Sequence, residues 1–393
     1  MWIFVILSLT DIYIFWRLVA DMKHRSKALQ ALVFTVKAIL SLILLYFIVR
    51  LLSYRGEFAD PANAFRYIAF GALAALIITV GSLYLVTSIG TRLLGRILHR
   101  KLGGLVLTNI IISGVLLCLF IDSFIRQRFD TRIIRQEITV SGLDSRLNGM
   151  KIVLISDLHL SSWHGHYGRL DQVVSAINTE KPDLLVNAGD FITFGWQEFG
   201  SCDTILRKAG AVSGAYAIYG NHDDGSYYPG YNKSYGKECR QKLSEKIMAS
   251  GYSLLSDTTV MTEHDGAQIS ITGIVTHGHH FNMSYGNFNK AFDLIPDSAF
   301  SILLVHDPGA WDVAGQYERM PQLTLAGHTH GMQAGLPLPG GYISPASIYH
   351  KYWRGLYSKQ DKYLYVSTGM GTIGMALRIF MPPEIVVITL KSK

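Results

Sequence analysis

The stretch KIVLISDLHL, residues 151–160, decides how this chain reads. Its first half is an apolar, β-branched run bounded by polar residues, the mark of a buried strand. Its second half turns into Asp157 and His159, an oxygen and a nitrogen donor at the strand's carboxyl end. Four later stretches repeat the plan. DLLVNAGD ends in Asp190, AYAIYGNHD in Asn221, His222 and Asp223, SILLVHD in His306, and LTLAGHTH in His328 and His330. Ligands of open α/β sheets bind in the crevice beyond the carboxyl ends of the strands, so five such endings point to one site. A lone D-x-H or G-D is chance or a turn signal. Five donor blocks, each behind a strand, form a set able to hold two metal ions. In D-x-H and H-x-H the donors are two residues apart, so an extended backbone would aim both the same way. Gly189, Gly220 and Gly327 precede donors, where a missing Cβ permits a tight turn or close approach.

Further apolar runs at ISITGIV, YLYVS and EIVVITL extend the strand pattern, and apolar residues three or four apart predict helices over 169–178, 202–208 and 237–249. Strand and helix in alternation imply an α/β fold, a largely parallel sheet with helices on its faces. Later strands follow with less helix between them, so a second, mixed sheet packed on the first is expected. A domain is expected over 150–393, preceded by a polar connector, 126–149, whose alternating stretch 134–140 reads as an edge strand. LPLPGGYISP, residues 336–345, reads as a loop.

The first third is different material. Four apolar runs, 2–20, 31–52, 67–89 and 102–125, match the roughly 20 residues that a helix needs to cross a bilayer, so residues 1–125 read as an all-α, four-helix transmembrane region. The first run lacks the basic start and small-residue cleavage site of a signal peptide. Lys37 and Asp122 are read as reaching the interface from near helix ends, leaving Asp11 in need of an interhelical partner. Arginines and lysines are balanced between the loops and set no orientation. The basic run 126–135 suits anionic headgroups and accounts for much of the formal charge of +7. No basic stretch interleaved with aromatics is present, so no nucleic-acid partner is expected. Three cysteines without a CxxC pair indicate neither a disulfide framework nor a zinc ribbon.

The donor blocks resemble the calcineurin-like metallophosphoesterases, over residues 150–390. That resemblance implies a four-layer αββα metallophosphoesterase sandwich holding two divalent ions. It would give Asp157, His159 and His330 to the first metal, Asn221, His306 and His328 to the second, and Asp190 to both. His222 would face the substrate without ligating, with Asp223 as its orienting partner. Imidazole and carboxylate ligation together suit Mn, Fe or Zn. Two such ions polarise a phosphoryl group and activate water. The tail STGMGTIGMALRIFMPPEIVVITL, with LAGHTHGMQAGLP and the apolar runs, is similar to the YkuE-like branch and the transmembrane proteins with a metallophosphoesterase domain. The branch implies phosphodiester hydrolysis, with UDP-2,3-diacylglucosamine of lipid A biosynthesis as a type of substrate. GDFITFG and GNHD depart from the GDxVDRG and GNHE of protein phosphatases, which disfavours a phosphoprotein. The expectation is a multi-pass protein of a bacterial inner membrane that hydrolyses a phosphodiester or pyrophosphate in a lipid or lipid-linked nucleotide. A soluble nucleotide substrate and a silent membrane sensor are the rivals. Arg378 is a candidate phosphate fork. His164, His166, His277, His279 and His280 are candidates for the rim, and Trp163, Tyr227, Tyr228 and Trp353 for an apolar wall.

Overall fold

The computed structural model describes residues 2–23, 25–99, 105–279 and 282–393, which divide into two compact units. The first comprises residues 1–56, 66–125 and 374–377; the second comprises 57–65, 126–373 and 378–393.

The four apolar runs are helices α1 Trp2–Met22, α2 Lys27–Ser53, α3 Pro61–Ile97 and α4 Leu105–Ile125. Among the described residues, three stretches are long and apolar enough to cross a membrane: Lys27–Ser53, Pro61–Ile97 and Thr108–Phe129. The count of four crossings is therefore not established. α3 starts before the expected 67, because Asp60 Oδ1 accepts from the amides of Ala62 and Asn63 and Pro61 occupies the first helical position, and it runs beyond 89 to Ile97. Leu7 and Leu18 of α1, Leu44 of α2, and Leu73 and Ile77 of α3 share one core. Lys37 corrects the sequence reading. It lies 11 residues into the 27-residue α2, is 6% exposed, and places Nζ 2.7 Å from Asp11 Oδ1 instead of reaching an interface. Ser41 Oγ accepts from Lys37 Nζ and donates to Asp11 Oδ2, so the partner that Asp11 requires is the lysine itself.

In the second unit the strands are β1 Arg132–Val140, β2 Lys151–Ile155, β3 Leu184–Asn187, β4 Ala215–Ile218, β5 Ser253–Leu255, β6 Thr258–His264, β7 Ala267–Gly273 and the small pair β8 Thr276–His279 and β9 Asn282–Tyr285. They continue with β10 Phe300–Leu304, β11 Leu323–Ala326, β12 Leu336–Leu338, β13 Gly341–Ile343, β14 Gly355–Lys359, β15 Lys362–Val366 and β16 Glu384–Ser392. One six-stranded sheet has the order β1-β16-β2-β3-β4-β5 and the other β14-β15-β11-β10-β7-β6. Between them lies a core that includes Ile152, Leu154 and Val186 from the first and Ile269, Ile302 and Leu325 from the second. The alternate residues Val153, Leu185 and Val387 face helices α5 Tyr167–Glu180, α6 Cys202–Leu206 and α7 Lys233–Ala249. On the second sheet, Leu303, Leu364 and Val366 face α8 Phe288–Phe292 and α9 Ala310–Ala314. The layers run helix, sheet, sheet, helix. Central strands covered on both faces are mostly apolar, with only small polar residues such as Ser301 and Thr324 among them, which is why they read as near-continuous runs.

β1 pairs only with β16 and is an edge. Residues 336–345 are not a plain loop: β12 and β13 pair antiparallel across them. β6 and β14 close the second sheet as antiparallel edges and were missed, since an edge strand mixes polar and apolar residues.

Candidate metal centre

The donors leave the carboxyl ends of β2, β3 and β4 in one sheet and β10 and β11 in the other, so both sheets contribute to one crevice. They do not arrive by extended backbone. Asp157 (φ 53°), His159 (φ 40°), Asp190 (φ 58°), His328 (φ 72°) and His330 (φ 50°) all take left-handed conformations. Each such residue costs on the order of 1–3 kcal/mol, so the surroundings must hold them. Asp157 N donates to Gly189 O at 2.8 Å, His159 N to Asp190 O at 3.1 Å, and His328 N to Asp157 Oδ1 at 3.0 Å. Gly189 (φ 96°) is needed twice over, since a Cβ there would stand 2.5 Å from Gly220 N. A Cβ on Gly327 would overlap Asp157 Oδ2.

Two groups of donors result: Asp157, His159 and His330, and Asp190, His306 and His328, with the atoms of each group within 4.8 Å of one another. Asp190 Oδ2 lies 3.0 Å from His306 Nε2 and 3.6 Å from His159 Nε2, reaching both groups. His159 Nε2 faces His330 Nε2 at 3.1 Å, and His330 Nε2 lies 3.3 Å from Asp157 Oδ1. These residues fit divalent ions on a structural test. Asn221 Oδ1 is buried without a hydrogen-bond partner, and His306 Nε2 has only the Asp190 carboxylate, 3.0 Å away, before it, while each residue's other polar atom is engaged. His306 Nδ1 donates to Ala188 O at 2.7 Å, and Asn221 Nδ2 donates to Tyr227 Oη at 3.0 Å. These atoms are the ones that could hold a metal ion.

Charge follows burial. Burial pushes His159 down to about 3 and His328 down to about 4, and drives His330 well below the usual imidazole range, so their lone pairs stay available. Burial also lifts Asp157 to about 6. For Asp190 burial acts upward, but the charges of His306 and His222 outweigh it and hold the carboxyl well below its ordinary value. For His306 burial acts downward, and the charge of Asp190 outweighs it, raising the ring to about 10. Divalent ions would take the place of that proton.

His222 is 5% exposed, and burial lowers its pKa. Its Nδ1 donates to Thr193 O at 2.7 Å, and its ring stacks on Tyr227 with centroids 3.8 Å apart. Thr193 serves a second ring, because its Oγ1 is 3.1 Å from His159 Nδ1. Asp223 is not the orienting partner expected of it. Its carboxylate accepts from the amides of Asp190, Phe191, Ile192 and Gly220, and so shapes the GD and GNHD loops. Burial and Asp190 push its pKa up to about 8, against four amides that favour the charged form.

Arg378 is no phosphate fork. It is 0% exposed and donates to the carbonyls of Gly371, Thr368 and Met381, with Nη2 3.4 Å from His330 Nδ1, so it braces that ligand from behind. His164 and His166 stay outside both donor groups: their rings lie against Phe65 and Phe129. His277 Nδ1 is 3.4 Å from Arg240 Nη2; His280 and the side chain of His279 lie outside the described residues. Trp163 is core, 1% exposed, with Nε1 donating to Leu158 O at 2.9 Å. The backbone carbonyl of Trp353 accepts from Thr329 Oγ1. Tyr228 does join an aromatic wall, together with two residues that the sequence did not single out. Phe58 meets Phe194 edge-on at 5.2 Å and Tyr228 at 5.7 Å, and Phe194 and Tyr228 follow directly in sequence on Thr193 and Tyr227, which contact His222. On the other flank a 220 Å³ cavity is lined by His328, His350, Asp307, Lys351 and Tyr352.

Residues 150–332 match the family model described as calcineurin-like phosphoesterase. The uncharacterized metallophosphoesterase YkuE of Bacillus subtilis is 36% identical over 250 residues, 62% of this chain and 80% of that protein. The phosphodiesterase YaeI of Escherichia coli is 25% identical, over 61% of this chain and 82% of its own. The transmembrane protein with metallophosphoesterase domain of Danio rerio is 29% identical, over 66% of this chain and 57% of its own.

Proposed function

The chain belongs to the calcineurin-like phosphoesterases, hydrolases of phosphoric esters, and on that premise we propose a dinuclear phosphodiesterase anchored in a membrane. Its substrate is a phosphodiester or pyrophosphate in a lipid or lipid-linked nucleotide, of which UDP-2,3-diacylglucosamine in a bacterial inner membrane is one type. The observation that carries the reading is the position of Asp190 Oδ2, within 3.6 Å of an imidazole nitrogen in each donor group. When bound, two Mn, Fe or Zn ions would supply Lewis-acid polarisation of a phosphoryl oxygen and lower the pKa of coordinated water. Asp157, His159 and His330 would hold one ion, and Asn221, His306 and His328 the other. With Nδ1–H committed to Thr193 O, the neutral His222 ring carries its lone pair on Nε2. A proton taken there is favoured by the charge of Asp190 and can pass to the leaving oxygen.

The lipid reading is supported by the three stretches of crossing length and by the aromatic wall of Phe58, Phe194 and Tyr228. A soluble nucleotide is the second reading, favoured by the polar flank at His350, Lys351 and Tyr352. The complete donor set argues against a silent sensor. Full-length protein in detergent, loaded with Mn, should hydrolyse a lipid phosphodiester faster than a nucleotide of the same bond type; the reverse order would select the second reading.

A further inference from the structure

Away from the metal centre the second unit holds a cavity of 460 Å³, more than twice the volume of the one beside His328. Arg126, Arg132 and Arg354 line it, together with Tyr342, Phe380 and Glu384. Arg126 is the next residue after the end of α4, so the cavity lies in the stretch that directly follows a helix of crossing composition.

Its electrostatics are unequal. Asp130 also lines the cavity and engages Arg132 at 2.8 Å and Arg126 at 3.9 Å. Glu384 is 2% exposed, burial raises its pKa against the opposing charge of Arg354, and its Oε1 already accepts from Thr368 N. Three guanidinium groups thus face two carboxylates, both engaged. Arg354 is the exceptional member. Its guanidinium lies 4.3 Å from the centroid of the Tyr342 ring, which fixes its plane, and its Nε is buried without a hydrogen-bond partner. A buried guanidinium N–H without an acceptor is costly and rare in a folded protein. An anion in the cavity would supply the acceptor, and a planar fork suits two oxygens of a phosphate group. The remaining wall is apolar or aromatic: Phe380 is 41% exposed, and Pro337, Tyr342 and Met381 stand near it. A phosphate beside apolar surface, in chain that directly follows a helix of crossing composition, is the chemistry of a phospholipid headgroup region.

We propose that this cavity is a binding site for the phosphate of an anionic glycerophospholipid, separate from the metal centre, with Arg354 as its fixed donor and Arg132 as its mobile one. The sequence suggested only a diffuse attraction of residues 126–135 to headgroups; the fold adds Arg354, more than 200 positions later, and gives that attraction a defined seat.

The test uses full-length protein in a neutral detergent and follows its unfolding midpoint with added dioleoylphosphatidylglycerol, dioleoylglycerol or inorganic phosphate. Phosphatidylglycerol should raise the midpoint in a saturable way, whereas dioleoylglycerol, which lacks the phosphate, should not. Arg354→Gln should weaken the response to phosphatidylglycerol roughly tenfold or more in half-saturating concentration, as loss of a charge-assisted bond does. Arg132→Gln, at a side chain 61% exposed, should weaken it less without threatening the fold. Both variants should retain wild-type metal-dependent hydrolysis of a soluble diester, which separates this site from the proposed activity. A response that survives in both variants, or that dioleoylglycerol reproduces, would overturn the proposal. A full response to inorganic phosphate at the same concentration would overturn its lipid source.

Discussion

Thr193 shows how much of the site depends on residues that bear no chemistry of their own. Its hydroxyl contacts His159 Nδ1 and its carbonyl receives His222 Nδ1–H, so one residue sets two ring orientations. Thr193→Val removes the first contact and keeps the second. Metal affinity, followed by titration calorimetry of the apoprotein, should fall about 10- to 100-fold, as for other outer partners of ligating histidines. An unchanged affinity would mean that packing alone orients His159. Asp223 makes the opposite case, a residue assigned to chemistry that proves to hold backbone. Asp223→Asn replaces an acceptor of four amides with a group having one acceptor oxygen, and should lower stability by about 1–3 kcal/mol in chemical denaturation. The convergence of the donors was legible because residues of this kind seldom end five apolar runs by chance. Their supports were not, because Thr193 inside GDFITFG carries no signal of a partner 34 positions away.

At the scale of elements, the central strands were plain in the sequence for a physical reason: covered on both faces, they are built mainly from apolar, β-branched residues. β6, TTVMTEH, and β14, GLYSK, are half exposed edges and carry no such run. The turns after the strands were misread more instructively. Alternation in an extended chain was expected to aim the paired donors, yet five of them sit at positive φ, which residue type alone does not announce outside glycine. Segment 57–65 was legible only as the link between two apolar runs. In the folded protein it belongs to the unit with the metal centre, and Phe58 packs on Phe194 and Tyr228. Phe58→Ala should therefore raise KM for a lipid diester severalfold with a smaller change in kcat, whereas Phe58→Tyr should behave almost as wild type. Equal KM values for Phe58→Ala and wild type in steady-state assays would remove this residue from the substrate wall.

For the whole molecule, the division into long apolar helices and an α/β unit followed from composition, since helices of crossing length are apolar throughout and an α/β domain is not. What composition could not supply was pairing. Asp11 and Lys37 lie 26 positions apart on different helices, and nothing in either run names the other. Lys37→Met leaves the largely buried Asp11 carboxylate with only the Ser41 hydroxyl and no cation, and should destabilise the protein by about 3 kcal/mol, with much of the loss recovered in Asp11→Asn/Lys37→Met. Unfolding midpoints in one detergent would read this; a harmless single variant would mean that Asp11 has another partner. The central claim is that Asp190 joins two ions in one hydrolytic site. Its most direct test is the metal content and rate of purified full-length protein on bis(p-nitrophenyl) phosphate, before and after chelation and in Asp190→Ala. Two ions per chain, activity lost to chelator and restored by Mn, and a fall of at least about 100-fold in Asp190→Ala are predicted. A rate indifferent to both chelation and the substitution would contradict it.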